Sequence, residues 1–171
     1  CKCGFFPDLG KCRCTPTQIR RYLNRVSGPF LDRIDIGVEV PRQDLGKMAA
    51  EKGIDEEIFP QTEQRDSSAV MRARVMEARA RQEKRFADES ISYNSQMTRR
   101  QIEEYCRLSG EDAVFLEKVE RQQGISARGH GKILKVARTL ADLDGQAEIG
   151  RTQLAEAIGF RSFEKKYWGS L

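Results

Sequence analysis

The chain has 171 residues, 33% of them charged and 39% hydrophobic, and carries a net charge of +4 at neutral pH. No apolar run approaches the ~20 residues needed to cross a bilayer, and Cys1-Lys2-Cys3-Gly4 is not the start of a signal peptide, so the expectation is a cytoplasmic protein with no membrane partner. The mild positive charge permits an acidic partner such as DNA or a nucleotide without requiring one.

Residues 1–14 read as a loop rich in glycine and cysteine. Thr15-Pro16 then starts a helix, with Thr15 as N-cap and Pro16 at the first helical position. Ile19, Tyr22, Leu23 and Val26 share one face of it, and Arg20, Arg21 and Arg25 lie off that face. Gly28 and Pro29 break the pattern. Ile34, Ile36, Val38 and Val40 alternate with Asp35, Gly37 and Glu39, which predicts a half-buried strand over about 34–40. Residues 42–65 read as a connecting loop with one short helical turn around residues 45–52.

From Ser67 onward the pattern is helical. The first helix is predicted over about 67–86, with Met71, Val75, Ala78 and Phe86 as a narrow apolar stripe among arginines. The second starts at Thr98, with Gln101 completing a capping box, and carries Ile102, Tyr105 and Cys106. The third starts at Ser109, buries Ala113, Leu116 and Val119, and stops at Gly124. The fourth runs from Ser126 to Leu143, with Ile133, Leu134, Ala137, Leu140 and Ala141 inward, and Gly145 ends it. A last helix carries Leu154, Ala157 and Ile158. Residues 67–160 can therefore bury a core as a helical bundle. Residues 1–41, with one helix and one strand, cannot close a sheet. They are expected to be mobile or misplaced without further strands, and the missing initial Met suggests a piece of a longer chain.

Cys1-Lys2-Cys3 and Cys12-Arg13-Cys14 form a C-x-C…C-x-C pattern, and Cys106 stands apart on an apolar helix face. Four thiolates on two short arms can close a tetrahedral zinc site through Cys1, Cys3, Cys12 and Cys14. The alternative is a loop of reduced, unmetallated thiols, and an odd count argues against a secreted disulfide framework. Arg72, Arg74, Arg79, Arg81, Lys84 and Arg85 make the helix after residue 67 strongly basic. That composition suits phosphate backbones, but Glu77 and Glu83 interrupt it, so a solvated helix face is the simpler reading. His130 has no second histidine with which to build a metal centre.

Two arginines stand out. Arg33 lies in Leu31-Asp32-Arg33-Ile34-Asp35, just before the predicted strand, where it could instead be a surface arginine paired with Asp32 or Asp35. Arg128 follows the N-cap Ser126 by two residues, where a cation opposes the helix dipole. Lys132, Lys135 and Arg138 extend its basic face toward solvent or DNA.

The run from Ser27 to Pro41, together with residues 1–33 and 126–145, resembles the second half of bacterial magnesium-chelatase-like AAA+ ATPases of the competence-protein branch. The resemblance implies a mainly α fold: a helical lid bundle, residues 67–171, behind the last helix and strand of an α/β nucleotide-binding core, residues 1–41, with 42–66 as linker. It implies that Arg33 is an arginine finger acting on a neighbouring subunit and that Arg128 is the sensor 2 arginine contacting nucleotide in its own subunit. It implies ATP and Mg2+ as cofactors, a homo-oligomeric ring, expected to be a hexamer, and DNA as the object remodelled, as in branch migration. No G-x-x-x-x-G-K-[ST] phosphate loop occurs in the sequence, so these 171 residues by themselves are expected to hydrolyse no ATP. Two alternatives stay open: a metal-stapled DNA-binding or interaction module without ATPase role, and the motor subunit of a true magnesium chelatase.

Overall fold

A computed structural model describes residues 1–8, 10–40, 67–161, 167 and 168. The predicted loop over 42–65 and its helical turn lie outside the described residues. Among those described, the protein is helical throughout: α1 Pro16–Leu23, α2 Gly28–Leu31, α3 Ser68–Arg85, a short 3-10 turn Asn94–Gln96, α4 Arg99–Tyr105, α5 Gly110–Gln123, α6 Ala127–Leu143 and α7 Arg151–Gly159.

The helices start where side-chain oxygens satisfy the first-turn amides. Thr15, Ser67, Thr98, Ser109 and Ser126 each accept from the amide three residues on, contacts typically worth ~1 kcal/mol each. Gln18 and Gln101 reach back to Thr15 and Thr98 to close capping boxes. Gly124 ends α5 with φ of 68°, a left-handed setting that glycine adopts without strain. Gly28 and Pro29 do not simply break the chain, because Pro29 sits in the first turn of α2 behind the N-cap Ser27.

Helix α6 is the centre of the bundle and packs most extensively on α7, then on α3 and α4. Ile133, Ala137 and Ala141 of α6 meet Leu154 and Ala157 of α7 and Leu116 of α5 in one continuous core, closed by Phe86 and Cys106. This is the expected helical lid bundle. Several details differ. Ala113 is exposed, so α5 contributes mainly Leu116. Tyr22 is also exposed, leaving Ile19 and Leu23 as the buried face of α1. Only the C-terminal half of α3 packs: Ala78 and Phe86 are buried, whereas Met71 and Val75 face outward.

The predicted strand over 34–40 does not form. A strand needs a ladder partner, and among the described residues there is none, so Ile36, Val38 and Val40 are exposed. The N-terminal part nevertheless makes specific contacts with the C-terminal end of the chain. Gly37 N–H donates to Phe160 O (2.9 Å), Trp168 Nε1 donates to Leu23 O (3.2 Å) and Tyr167 Oη to Glu39 Oε1 (2.9 Å). Phe6 packs edge-on against the Tyr167 ring.

Candidate functional site

Arg33 follows α2 directly, and its exposed side chain has no hydrogen-bond or ion-pair partner among the described residues. Its neighbours are engaged. Asp32 accepts from Ser126 Oγ at 3.5 Å and lies 3.8 Å from Arg161 Nη2. Asp35 pairs with Lys132 Nζ at 2.6 Å, and Arg161 Nη1 donates to Ile34 O at 3.0 Å. The two carboxylates that could have neutralised Arg33 are thus taken up by the bundle. Arg128 stands at the second position of α6, exposed and equally without a partner among the described residues. The segment carrying Arg33 lies along the first turns of the helix carrying Arg128, because Asp32 meets Ser126 and Asp35 meets Lys132.

The cations after Arg128 do not form a free basic face. Lys132 belongs to Asp35, Lys135 Nζ donates to Ser95 O (2.9 Å), and Arg138 is buried, donating to Ala147 O and Gln146 O at 2.8 Å each. In α3, Arg85 also leaves the basic surface to pair with the buried Asp142. His130 Nδ1 lies 2.7 Å from Glu120 Oε1, a link between α5 and α6.

The four N-terminal cysteines converge. Their sulfurs all lie within 4.8 Å of one another, with Cys1–Cys3 at 3.3 Å, Cys3–Cys12 at 3.5 Å and Cys1–Cys12 at 3.6 Å. Zn–S bonds of ~2.3 Å at tetrahedral angles require sulfurs about 3.8 Å apart, so the cluster fits an ion held by all four thiolates with small adjustments. A turn that returns Cys12 N–H to Asp8 O (2.8 Å) brings the second arm over the first. A hydrogen bond from the Phe5 backbone, opposed by burial and aided by the Arg13 backbone, lowers the Cys3 thiol to about 6. A thiolate is the form that binds metal. Cys14 is followed at once by Thr15, whose capping box with Gln18 starts α1, so the cluster abuts the start of that helix.

Arg20 and Arg21 of α1 and Arg25 just beyond it face outward around an open groove of about 360 Å³ that Thr17 and Asn24 also line. No acidic residue occurs between Asp8 and Asp32, whereas Lys11, Arg13, Arg20, Arg21 and Arg25 all fall in that interval. Density of arginine singles out α3 in the sequence and misses this stretch, whose signal is the absence of acids.

Residues 65–161 match the family model described as magnesium chelatase, subunit ChlI C-terminal, and residues 1–48 match the one described as magnesium chelatase, subunit ChlI. The competence protein ComM of Haemophilus influenzae is 40% identical over 152 residues, covering 88% of this chain and 27% of that protein. The uncharacterized protein YifB of Escherichia coli is 40% identical over 153 residues, covering 90% and 28%. The uncharacterized protein Rv2897c of Mycobacterium tuberculosis is 30% identical over 154 residues, again 90% and 28%. The chain therefore spans little more than a quarter of the length of these relatives.

Proposed function

Since the chain belongs to the magnesium chelatase ChlI family, we propose that it is the C-terminal portion of an AAA+ ATPase that works as a cytoplasmic homo-oligomeric ring, a hexamer in this reading. Residues 1–41 form the tail of the nucleotide-binding core, 42–66 the linker and 67–171 the lid. The observation that carries this reading is the state of Arg33: its side chain is exposed and unpaired among the described residues, while the carboxylates on either side are held by Arg161 and Lys132. Guanidinium is always charged and presents two donors to phosphate oxygens. An arginine left free in this way is suited to a phosphate on a neighbouring subunit, where it would stabilise charge developing on the γ-phosphoryl group. Arg128 would meet the γ-phosphate of its own subunit, a role that accounts for a cation placed against the helix dipole. With no phosphate loop in these 171 residues, ATP and its Mg2+ would be held mainly by residues outside them, where Mg2+ neutralises phosphate charge when bound.

A zinc ion on Cys1, Cys3, Cys12 and Cys14 would serve as a staple for the start of α1. The acid-free stretch behind it would make salt-sensitive contacts to phosphates, which supports DNA as the partner; branch migration as the kind of remodelling rests on the family resemblance alone. A metal-stapled DNA-binding module without ATPase role shares those two supports but leaves Arg33 and Arg128 without a purpose.

The test is ATP hydrolysis by the full-length parent with and without Arg33→Ala, with mutant subunits titrated into wild type. The expected result is retained ATP binding, hydrolysis slower by at least ~100-fold, and more inhibition on mixing than dilution gives. Unchanged hydrolysis would make Arg33 a structural arginine and favour the module.

A further inference from the structure

Residues 32–37 have no sheet to hold them among the described residues, yet they are fixed at five points, all from two places in the bundle. Ser126 Oγ accepts the Gly129 amide at 3.1 Å as the cap of α6 and turns its proton toward Asp32 Oδ1. Lys132 Nζ, further along α6, takes Asp35. Arg161, buried to 5% exposure just beyond α7, reaches both Ile34 O and the Asp32 carboxylate. Phe160 O, beside it, receives the Gly37 amide. Gly129 leaves room for the Ile125 side chain under the first turn of α6, because a Cβ there would come 2.7 Å from Ile125 Cγ2. Contacts thus flank Arg33 on both sides and leave its own side chain untouched.

We infer that Arg161 and Lys132 are positioning residues for Arg33, clamping the backbone on either side of it to the turn of α6 that carries Arg128. The inference rests on the reading of Arg33 as a finger. A long arginine side chain delivers its charge usefully only from a fixed base, and misplacement of a reacting group by ~1 Å can cost 10²-fold in rate. Asp32 and Asp35 are the handles. Lys132 and Arg161 pair with them, which keeps these carboxylates from occupying the Arg33 guanidinium. Because Arg128 stands on the same turn as Ser126, a shift of α6 on nucleotide binding carries the base of the finger with it. The arginine that senses nucleotide in one subunit and the arginine offered to the next are thereby tied to one helix end.

The experiment compares ATPase kinetics of the full-length parent carrying Lys132→Met, Asp35→Asn, the exchange Lys132→Asp with Asp35→Lys, Arg161→Gln, Arg33→Ala, and Arg33→Ala with Lys132→Met. The single changes at 132, 35 and 161 are expected to lower kcat at least about tenfold with KM for ATP unchanged. The exchange should restore most of the rate. Adding Lys132→Met to Arg33→Ala should cost nothing further, because both act through one group. If Arg161→Gln fails to fold, Asp32→Asn tests the same contact from its more exposed side. Full activity of Lys132→Met beside an inactive Arg33→Ala overturns the clamp and leaves the finger standing. Full activity of Arg33→Ala overturns both. An additive double variant, a raised KM or no rescue by the exchange assigns Lys132 a role of its own and also overturns the clamp.

Discussion

Asp142 is wholly buried in α6 and takes its charge partner from Arg85, which lies 57 residues earlier at the end of α3. Asn94 Nδ2 donates to the same carboxylate at 2.8 Å, and Arg138 Nη2 lies 3.3 Å away. The network ties α3, the 3-10 turn and α6 together beneath the core. Removing one member of a buried ionic network strands the others, at about 3–5 kcal/mol. Asp142→Ala would leave Arg85 and Arg138 facing one another without a counter-ion. It should lower the urea-unfolding free energy of the chain by about that amount. A loss under ~1 kcal/mol would mean that water reaches the cluster and the burial is only apparent.

Leu154 and Val75 offer a contrast within one class of residue. Leu154 of α7 is fully buried between α6 and α5, whereas Val75 of α3 is exposed. Leu154→Ala should destabilise by about 3–4 kcal/mol, the transfer cost plus the cavity. Val75→Ser should stay within ~0.5 kcal/mol. Denaturant midpoints with unchanged slopes would establish both. A large loss at Val75 would show that the first half of α3 is covered.

These contrasts mark how far the sequence can be read. Helix α6 is legible from Ser126 to Leu143 because cap, periodicity and the glycine at Gly145 agree. The same logic places Thr98 and Ser109, and the cysteine spacing announces a cluster that the fold brings together. Three things are not legible. Alternation over 34–40 reads as a strand, but a strand exists only in a ladder, and local pattern carries no information about the partner. Met71 and Val75 continue the stripe of Ala78 in period, yet nothing in the described bundle reaches that far along α3. Lys132, Arg85 and Arg161 look like solvent charge because composition cannot show that Asp35, Asp142 and Asp32 wait for them across the fold. The clamp around Arg33 is made of such pairs, so Arg33 stands out in the sequence while its setting does not.

The cysteine cluster should carry about one zinc ion per chain after purification without chelator, measured by elemental analysis. Cys12→Ser should lose most of it. With the ion in place the four sulfurs should resist alkylation, and a strong chelator should release all four. Cys106 supplies the control, since it is buried and desolvation pushes its thiol up to about 11. It should stay unlabelled until the bundle unfolds. Because Cys14 abuts the N-cap of α1, metal loss should loosen α1 while the melting of the α3–α7 bundle is unchanged. Rapid alkylation of all four thiols regardless of chelator, with no metal found, would exclude the staple.

Asp112 gives the bundle a pH dependence whose sign can be worked out. Its carboxylate accepts from Arg151 at the start of α7 and from Ser109 Oγ at 3.0 Å, the N-cap of its own helix. The Arg151 hydrogen bond, then that of Ser109, hold the Asp112 carboxyl below the ordinary carboxylate range, and burial only partly opposes them. A folded-state pKa below the unfolded value means that the unfolded chain binds the proton more readily. The contribution to stability is therefore complete at neutral pH, begins to fade near the unfolded value of ~3.9, and is lost as pH falls through the lower folded value. Arg151→Met removes the main cause. It should melt at a lower temperature than the parent chain at pH 7, and the gap should close as the pH is taken below about 4. The Phe115 ring stacked under Arg151 at 4.3 Å sets what remains, because that contact does not titrate with Asp112. If the difference in melting temperature between the two proteins were the same at acid and neutral pH, Arg151 would be holding α5 to α7 through the ring and not through the carboxylate.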